Sequence, residues 1–199
     1  MEEPRDLRTI YASPKDRALG KVRRALDRHC ARFVTLSPFC ILGSVDRRGR
    51  PDLSPRGGPP GFAKVLSPES LLIPDRPGNN RLDSLTNLIG NPSVALLFLV
   101  PGFDETLRVY GTAEMLTDPE ICKELTLNER EPKVVLKIKV ERVYFQCAKS
   151  LMRAQLWDPQ SKVDRSSFPP LGQILKEQLG DDQPAESQEE MLRRYSKDL

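Results

Sequence analysis

Apolar residues recur along this chain at two different spacings, and the changes from one to the other mark its elements. Between Ser13 and Arg28, the residues Ala18, Leu19, Val22, Ala25 and Leu26 fall on one helical stripe, with Ser13 placed to cap it and Pro14 in its first turn. The opposite face carries Lys15, Arg17, Lys21, Arg23, Arg24 and Arg28, which reads as a solvated helix face because no aromatic residues interleave as stacking platforms. From Phe39 a period of two takes over. FCILGSVD runs into the turn Asp46–Gly49 and returns as RPDLSP, and GFAKVL returns as SLLIP through Ser67-Pro68-Glu69. A helix is predicted from about Asn80, with Leu82, Leu85 and Leu88 on one face, Gly90 at its end and Pro92 just beyond. SVALLFLV is apolar on both faces, as a central strand is. ETLRVYGTAEML alternates, Leu107, Val109, Ala113 and Met115 against Arg108, Tyr110, Thr112 and Glu114. A short helix is predicted after Asp118-Pro119. In KVVLKIKVERVYFQ, Val134, Leu136, Ile138 and Val140 share a face while Val143 and Phe145 continue in the opposite phase, so one extra residue is predicted near Glu141-Arg142 as a bulge.

CAKSLMRAQLW reads as a helix or turn laid against the strands, and past Pro159 the chain becomes polar and Pro-rich before weak helical patterns return in LGQILKEQL and EEMLRRYSKDL. Many short antiparallel strands with few helices predict a mainly β fold with flanking helices, a closed or partly closed barrel. Three segments follow: an arm and amphipathic helix at 1–31, the barrel at 32–160, and a peripheral polar and helical tail at 161–199, all one domain. The tail is expected to be dispensable for the barrel.

Composition narrows the chemistry. The chain has 199 residues, 38% hydrophobic and 30% charged, which suits a single soluble core. Lys and Arg total 31 against 28 Asp and Glu, and a net charge of +3 excludes a strongly basic nucleic-acid binder. One histidine, His29, excludes a His-rich metal site, and it is read as a helix-terminal residue. The four cysteines form no CxxC pair, and the first residues lack an apolar leader segment, so reduced thiols packed as small hydrophobes in the cytoplasm are expected. The longest apolar run, Val94 to Val100, is far shorter than the roughly 20 residues that span a bilayer.

No GxSxG, Walker A or GxGxxG sequence is present, so no hydrolytic or P-loop chemistry is indicated. The informative segment is Ile73 to Pro92, where Arg76, Asn79, Asn80 and Arg81 occupy a Pro-Gly turn between a strand and a helix. Unpaired N–H groups at a helix start, flanked by guanidiniums, suit a phosphate; a solvated turn is the alternative reading of the same residues. Arg108 on an alternating strand, with Lys149 and Arg153 after the long strand, forms a second cationic set that either converges on the same anion or lies on the surface.

The succession SPRGGPPGF, LLIPDRPGNNR, a helix ending in NP, VALLFLVPG, ETLRVYGTAEM and CAKSLMRAQLW resembles the pyridoxamine 5′-phosphate oxidase-like flavin-binding split-barrel family over Arg32 to Pro159. It is most similar to a bacterial branch with a PDRPGNNR turn and an LRVYG-type strand. The resemblance implies a six-stranded antiparallel split β-barrel that dimerises and holds two flavin mononucleotides (FMN) in clefts between subunits. By the same resemblance Ser54, Arg56 and Gly57, then Pro74 and Asp75, line the flavin. Asn80 and Arg81, with Arg76 nearby, match the phosphate-gripping turn, where Asn80 replaces one basic residue of the family's pair. Thr106 and Arg108 match the family's polar strand positions, and Trp157 an approximate aromatic contact. The Arg-x-His motif for substrate phosphate is missing, so pyridoxamine phosphate oxidation itself is not implied.

Flavin performs electron transfer itself, and such an enzyme needs no displayed acid-base motif. The resulting reading is an FMN-dependent oxidoreductase acting on a small molecule at a homodimer cleft, with no assignable catalytic residue, no metal, no nucleic acid and no membrane partner. The alternatives are a non-catalytic flavin- or haem-binding or sensing module, and an interaction protein working through its basic helix.

Overall fold

The computed structural model describes residues 7–197. The chain opens with two short helices, α1 (Asp16–Gly20) and α2 (Arg28–Leu36), where the apolar stripe predicted one. The break lies between them because Arg23 leaves the helix and forms a two-way backbone bridge with Val143, its N–H donating at 2.9 Å and its carbonyl accepting at 2.8 Å. Ser13 caps nothing; α1 has no side-chain cap, whereas Asp27 caps α2 by accepting from the N–H groups of His29 and Cys30. His29 thus stands in the first turn of α2, exposed.

Seven strands follow: β1 (Phe39–Val45), β2 (Pro51–Gly57), β3 (Lys64–Ser67), β4 (Ser70–Pro74), β5 (Ser93–Leu99), β6 (Thr106–Leu116) and β7 (Val135–Gln146). Helices α3 (Asp83–Gly90) and α4 (Pro119–Glu124) interrupt them, and α5 (Lys149–Ala154), α6 (Leu171–Leu179) and α7 (Gln188–Tyr195) end the chain. All pairings are antiparallel, in the order β2-β1-β5-β6-β7-β4-β3. The expected split sheet is therefore present, with seven strands rather than six. The backbone ladder does not close: β2 and β3 are its two edges.

The predicted bulge is where the phase change in the sequence placed it. Tyr110 pairs with Arg142 but Gly111 pairs with Val140, leaving Glu141 as the extra residue. A glycine is required opposite that kink, because a Cβ at Gly111 would overlap the carbonyl oxygen of Lys139. Directly opposed residues on paired strands share a face. The inward row Arg56, Cys40, Phe98, Leu107 and Phe145 leads into a core of Leu42, Leu96, Val109, Ile138 and Val143, sealed by Phe33 and Val34 of α2 and Leu85 and Leu88 of α3. Burial pushes the Cys40 thiol up to about 12 and the Cys30 thiol up to about 11, so both are inert core groups. Cys122 is also buried, whereas Cys147 is exposed, against the expectation for all four.

The tail is helical, and neither α6 nor α7 contains a buried residue. It packs on itself: a Cβ at Gly172 would overlap the carbonyl oxygen of Glu186, and Arg194 grips the Glu186 carboxylate. No helix among the described residues is long and apolar enough to cross a membrane.

Candidate functional site

The split in the ladder is bridged by side chains. Arg56, near the end of the edge strand β2, points inward and donates through Nη1 to Asp75 Oδ1 at 2.5 Å; Asp75 directly follows β4 at the other side of the opening. The two side chains are 16% and 19% exposed, and Arg56 Nε is buried without a partner. Ser54 lies two residues before Arg56 on the same half-buried face. Pro74 is buried at the end of β4, pinned by pairing with Val135, and Gly57 ends β2 opposite Phe39. Ser54, Arg56, Pro74 and Asp75 are thus brought to one seam.

Past the seam the chain makes the PDRPGNNR turn. Arg76 does not face the helix that follows. Its Nη2 donates to the Leu125 carbonyl at 2.6 Å and its Nη1 to the Arg130 carbonyl at 3.3 Å, tying the turn to the connection between α4 and β7. Asn80 and Leu82 adopt left-handed backbone, φ 57° and 59°. Leu82 is the N-cap of α3 and has no side chain that can accept, so the first turn of α3 carries N–H groups without a side-chain cap. Beside them Arg81 is 73% exposed, donates through Nε to Asp83 at 2.7 Å, and is kept protonated beyond its ordinary strength by that hydrogen bond. α3 itself is stitched to the sheet by Ser84 donating to Asp52 on β2 and Asn87 donating to Ser44 on β1. These two bonds hold α3 against the β1–β2 hairpin, beside Asp52 on the half-buried face of β2.

The second cationic set lies elsewhere. Arg108 is on the outward face of β6, over the rings of Tyr110 (5.3 Å) and Tyr144 (5.5 Å), which stack on one another at 6.0 Å. Arg142 also lies over Tyr110, at 4.1 Å from the ring centre. Thr106 precedes Arg108 on the same face, buried opposite Gln146. Trp157 donates through Nε1 to the Phe103 carbonyl at 2.8 Å, which folds the segment after α5 across the turn before β6. Lys149 and Arg153 sit exposed on α5. Among the described residues no hydrogen bond or ion pair joins this group to the Arg56–Arg81 group. Sequence reasoning missed the tyrosine ladder, although Arg108 and Tyr110 alternate together and the bulge brings Tyr144 into phase with them.

The outward row beside Arg108 is apolar across the centre of the sheet. Phe39, Ile41, Ala95, Leu97 and Leu99 are only half-buried there, and Leu53 is 74% exposed. The residues fit a flavin phosphate on one count above all: uncapped N–H groups and a guanidinium converge at the start of α3.

Residues 26–147 match the family model for pyridoxamine 5′-phosphate oxidase. Among solved structures, HupZ of Group A Streptococcus is 18% identical with a TM-score of 0.50, covering 60% of this chain and 93% of its own. A histidine-to-alanine variant of HupZ, also 18% identical, gives 0.51 over 60% and 98%. A Lactobacillus delbrueckii protein named as a candidate pyridoxamine 5′-phosphate oxidase is 23% identical over 60% and 93%, with a TM-score of 0.47. No curated protein matches.

Proposed function

The chain belongs to the pyridoxamine 5′-phosphate oxidase family, and on that premise we propose that it is an FMN-dependent oxidoreductase acting on a small molecule in a cleft between two copies of itself. The observation that carries this reading is the start of α3, where N–H groups without a side-chain cap stand beside Arg81. A terminal phosphate accepts from both, and its negative charge meets the positive end of the helix dipole. Arg81 pairs with Asp83, and in this reading a terminal phosphate takes over or shares that guanidinium.

Arg56 and Asp75 have a positioning role in this reading. Their ion pair keeps the β2 face and the PDRPGNNR turn at a constant separation. Ser54, Gly57 and Pro74 supply the surrounding wall. Bound FMN supplies the electron transfer, and the protein contributes position and exclusion of water. No hydrogen bond or ion pair among the described residues joins Thr106, Arg108, Lys149, Arg153 or Trp157 to this site, and in this reading they serve the partner copy's flavin. The half-buried row of Phe39, Ile41, Leu97 and Leu99 is the surface that a second copy covers.

Protein purified from bacteria is expected to be yellow and to release FMN, not the dinucleotide, on denaturation. Bleaching by a reduced nicotinamide, with colour returning in air, marks it as an oxidoreductase. A colourless protein that also fails to take up added FMN would overturn the reading.

A further inference from the structure

The two ends of the chain carry opposite charge, and neither is built into the core. Residues 7–24, the N-terminal arm, hold six Lys or Arg against Asp16 alone, and every one of these residues is exposed. Residues 171–190, from α6 into α7, hold six Asp or Glu against Lys176 alone, and none of them is buried. Both ends also expose large apolar side chains. Ile10, Tyr11, Leu19 and Val22 lie out on the arm. Leu171, Leu175 and Leu179 form one stripe along α6, with Phe168 just before it, and all four are exposed. The charges are unmatched within one chain. Among the described residues Lys15, Arg17, Glu177, Asp181 and Asp182 have no ion pair, and no hydrogen bond or ion pair joins residues 15–32 to residues 161–196. The arm is nevertheless held in place, because Arg23 bridges Val143 and the Leu26 N–H donates to the Pro68 carbonyl at 2.7 Å.

We propose that these ends meet between copies: the basic arm of one chain docks the acidic helical pair α6–α7 of a second copy of the same chain. The two surfaces complement one another in charge, and each offers an apolar stripe that the other covers. One twofold axis makes the contact twice, first arm on second tail and second arm on first tail, so the pair closes and leaves no end to extend it. An anionic lipid surface would answer the charge of the arm but leave the α6 stripe in water. The inference rests on the two-copy reading given above, and it adds to that pairing two segments that lie outside the sheet.

The test reverses charge on each surface of the full chain and reads the dimer dissociation constant by sedimentation over a dilution series. Lys15→Glu with Arg17→Glu makes the arm-reversed chain, and Glu177→Lys with Asp182→Lys the tail-reversed chain. All four residues are exposed, so each chain is expected to fold. Each variant alone sets like charges against one another and is expected to dimerise at least about tenfold more weakly than wild type. Mixed in equal amounts, the two variants pair arm with tail in opposite charge at both contacts, and wild-type affinity should return. Contacts made within one chain stay mismatched in that mixture. A mixture no tighter than either variant alone, or wild-type affinity in both variants, would overturn the proposal while leaving the two-copy reading intact. A wild-type monomer at micromolar concentration would overturn both. So would a wild-type dimer that sediments with anionic phospholipid vesicles when the arm-reversed dimer does not count against the docked arm, since the arm would then be free in the pair.

Discussion

The two faces of the central sheet come from the same strands and differ in how completely they are covered. Inward, Cys40, Leu42, Phe98, Leu107 and Val143 are essentially inaccessible, and α2 and α3 close over them. Outward, the interleaved residues Phe39, Ile41, Leu97 and Leu99 are equally apolar yet only half-buried, and they grade into the Arg108–Tyr110–Tyr144 ladder. An alternating strand on a monomer surface ordinarily carries polar residues outward. Apolar residues on both faces therefore leave one face sealed on folding and the other only half-covered within a single chain. The difference teaches that one segment carries the core on alternate residues and, on the residues between them, the half-covered apolar surface on which the proposed pairing of two copies rests.

The largest expected effect breaks the inward face alone. Gly111→Ala forces a methyl group into the Lys139 carbonyl and is expected to cost more than about 3 kcal/mol, read as loss of cooperative unfolding in denaturant. Leu97→Asp, on the outward face, should leave the chain folded but monomeric by light scattering. If the flavin site is shared between copies, affinity for FMN falls with it by more than about a hundredfold. A Leu97→Asp dimer with normal flavin content would show that the outward face has another use.

Arg81→Ala comes next. Loss of one charge-assisted phosphate contact, on the order of 1.5–3 kcal/mol, weakens FMN binding by about ten- to a hundredfold, while Arg24→Ala leaves it unchanged. Fluorescence quenching of FMN by the apo-proteins reads both. Arg76→Ala sharpens the division between binding and architecture. Its two carbonyl hydrogen bonds belong to the fold, so the melting temperature should fall by an amount matching about 1–2 kcal/mol, with FMN affinity retained.

The smallest effect is at Asp27, the cap of α2. Hydrogen bonds from the Cys30 and His29 backbone lower its pKa in the folded chain, so its contribution is present above the unfolded carboxylate value, about pH 4, and is lost as pH falls through the depressed value. Asp27→Ala should cost about 1 kcal/mol at neutral pH. Asp27→Asn should keep most of that stability and flatten its acid dependence, as denaturant midpoints between neutral and acidic pH would show.

Local rules carried the reading furthest where one residue's neighbours in sequence are also its neighbours in space. The phase change between Val140 and Val143 located the bulge, Asp118-Pro119 began α4 with Asp118 as its cap, and each alternating run became a strand. The same rules failed at the N-terminal arm. Its helical stripe is continuous in sequence, but the open edge of β7 draws Arg23 out of the helix, and that edge is more than a hundred residues away. At the candidate site the PDRPGNNR turn and its helix were legible. The partner of Arg76 was not, since Leu125 and Arg130 reach it only through the packing of α4.

By itself the sequence determined the strands, their alternation, the bulge and the two apolar faces, because side-chain period and turn chemistry are properties of a few consecutive residues. Only the tertiary structure decided which charges meet. It joined Arg56 to Asp75 across the split, tied Arg76 to the carbonyls of Leu125 and Arg130, left Arg81 at an uncapped helix start, and set Lys21 over Tyr144 and Arg142 over Tyr110. Charge pairing depends on distances of a few ångströms between segments far apart in the chain, and no local pattern contains those distances.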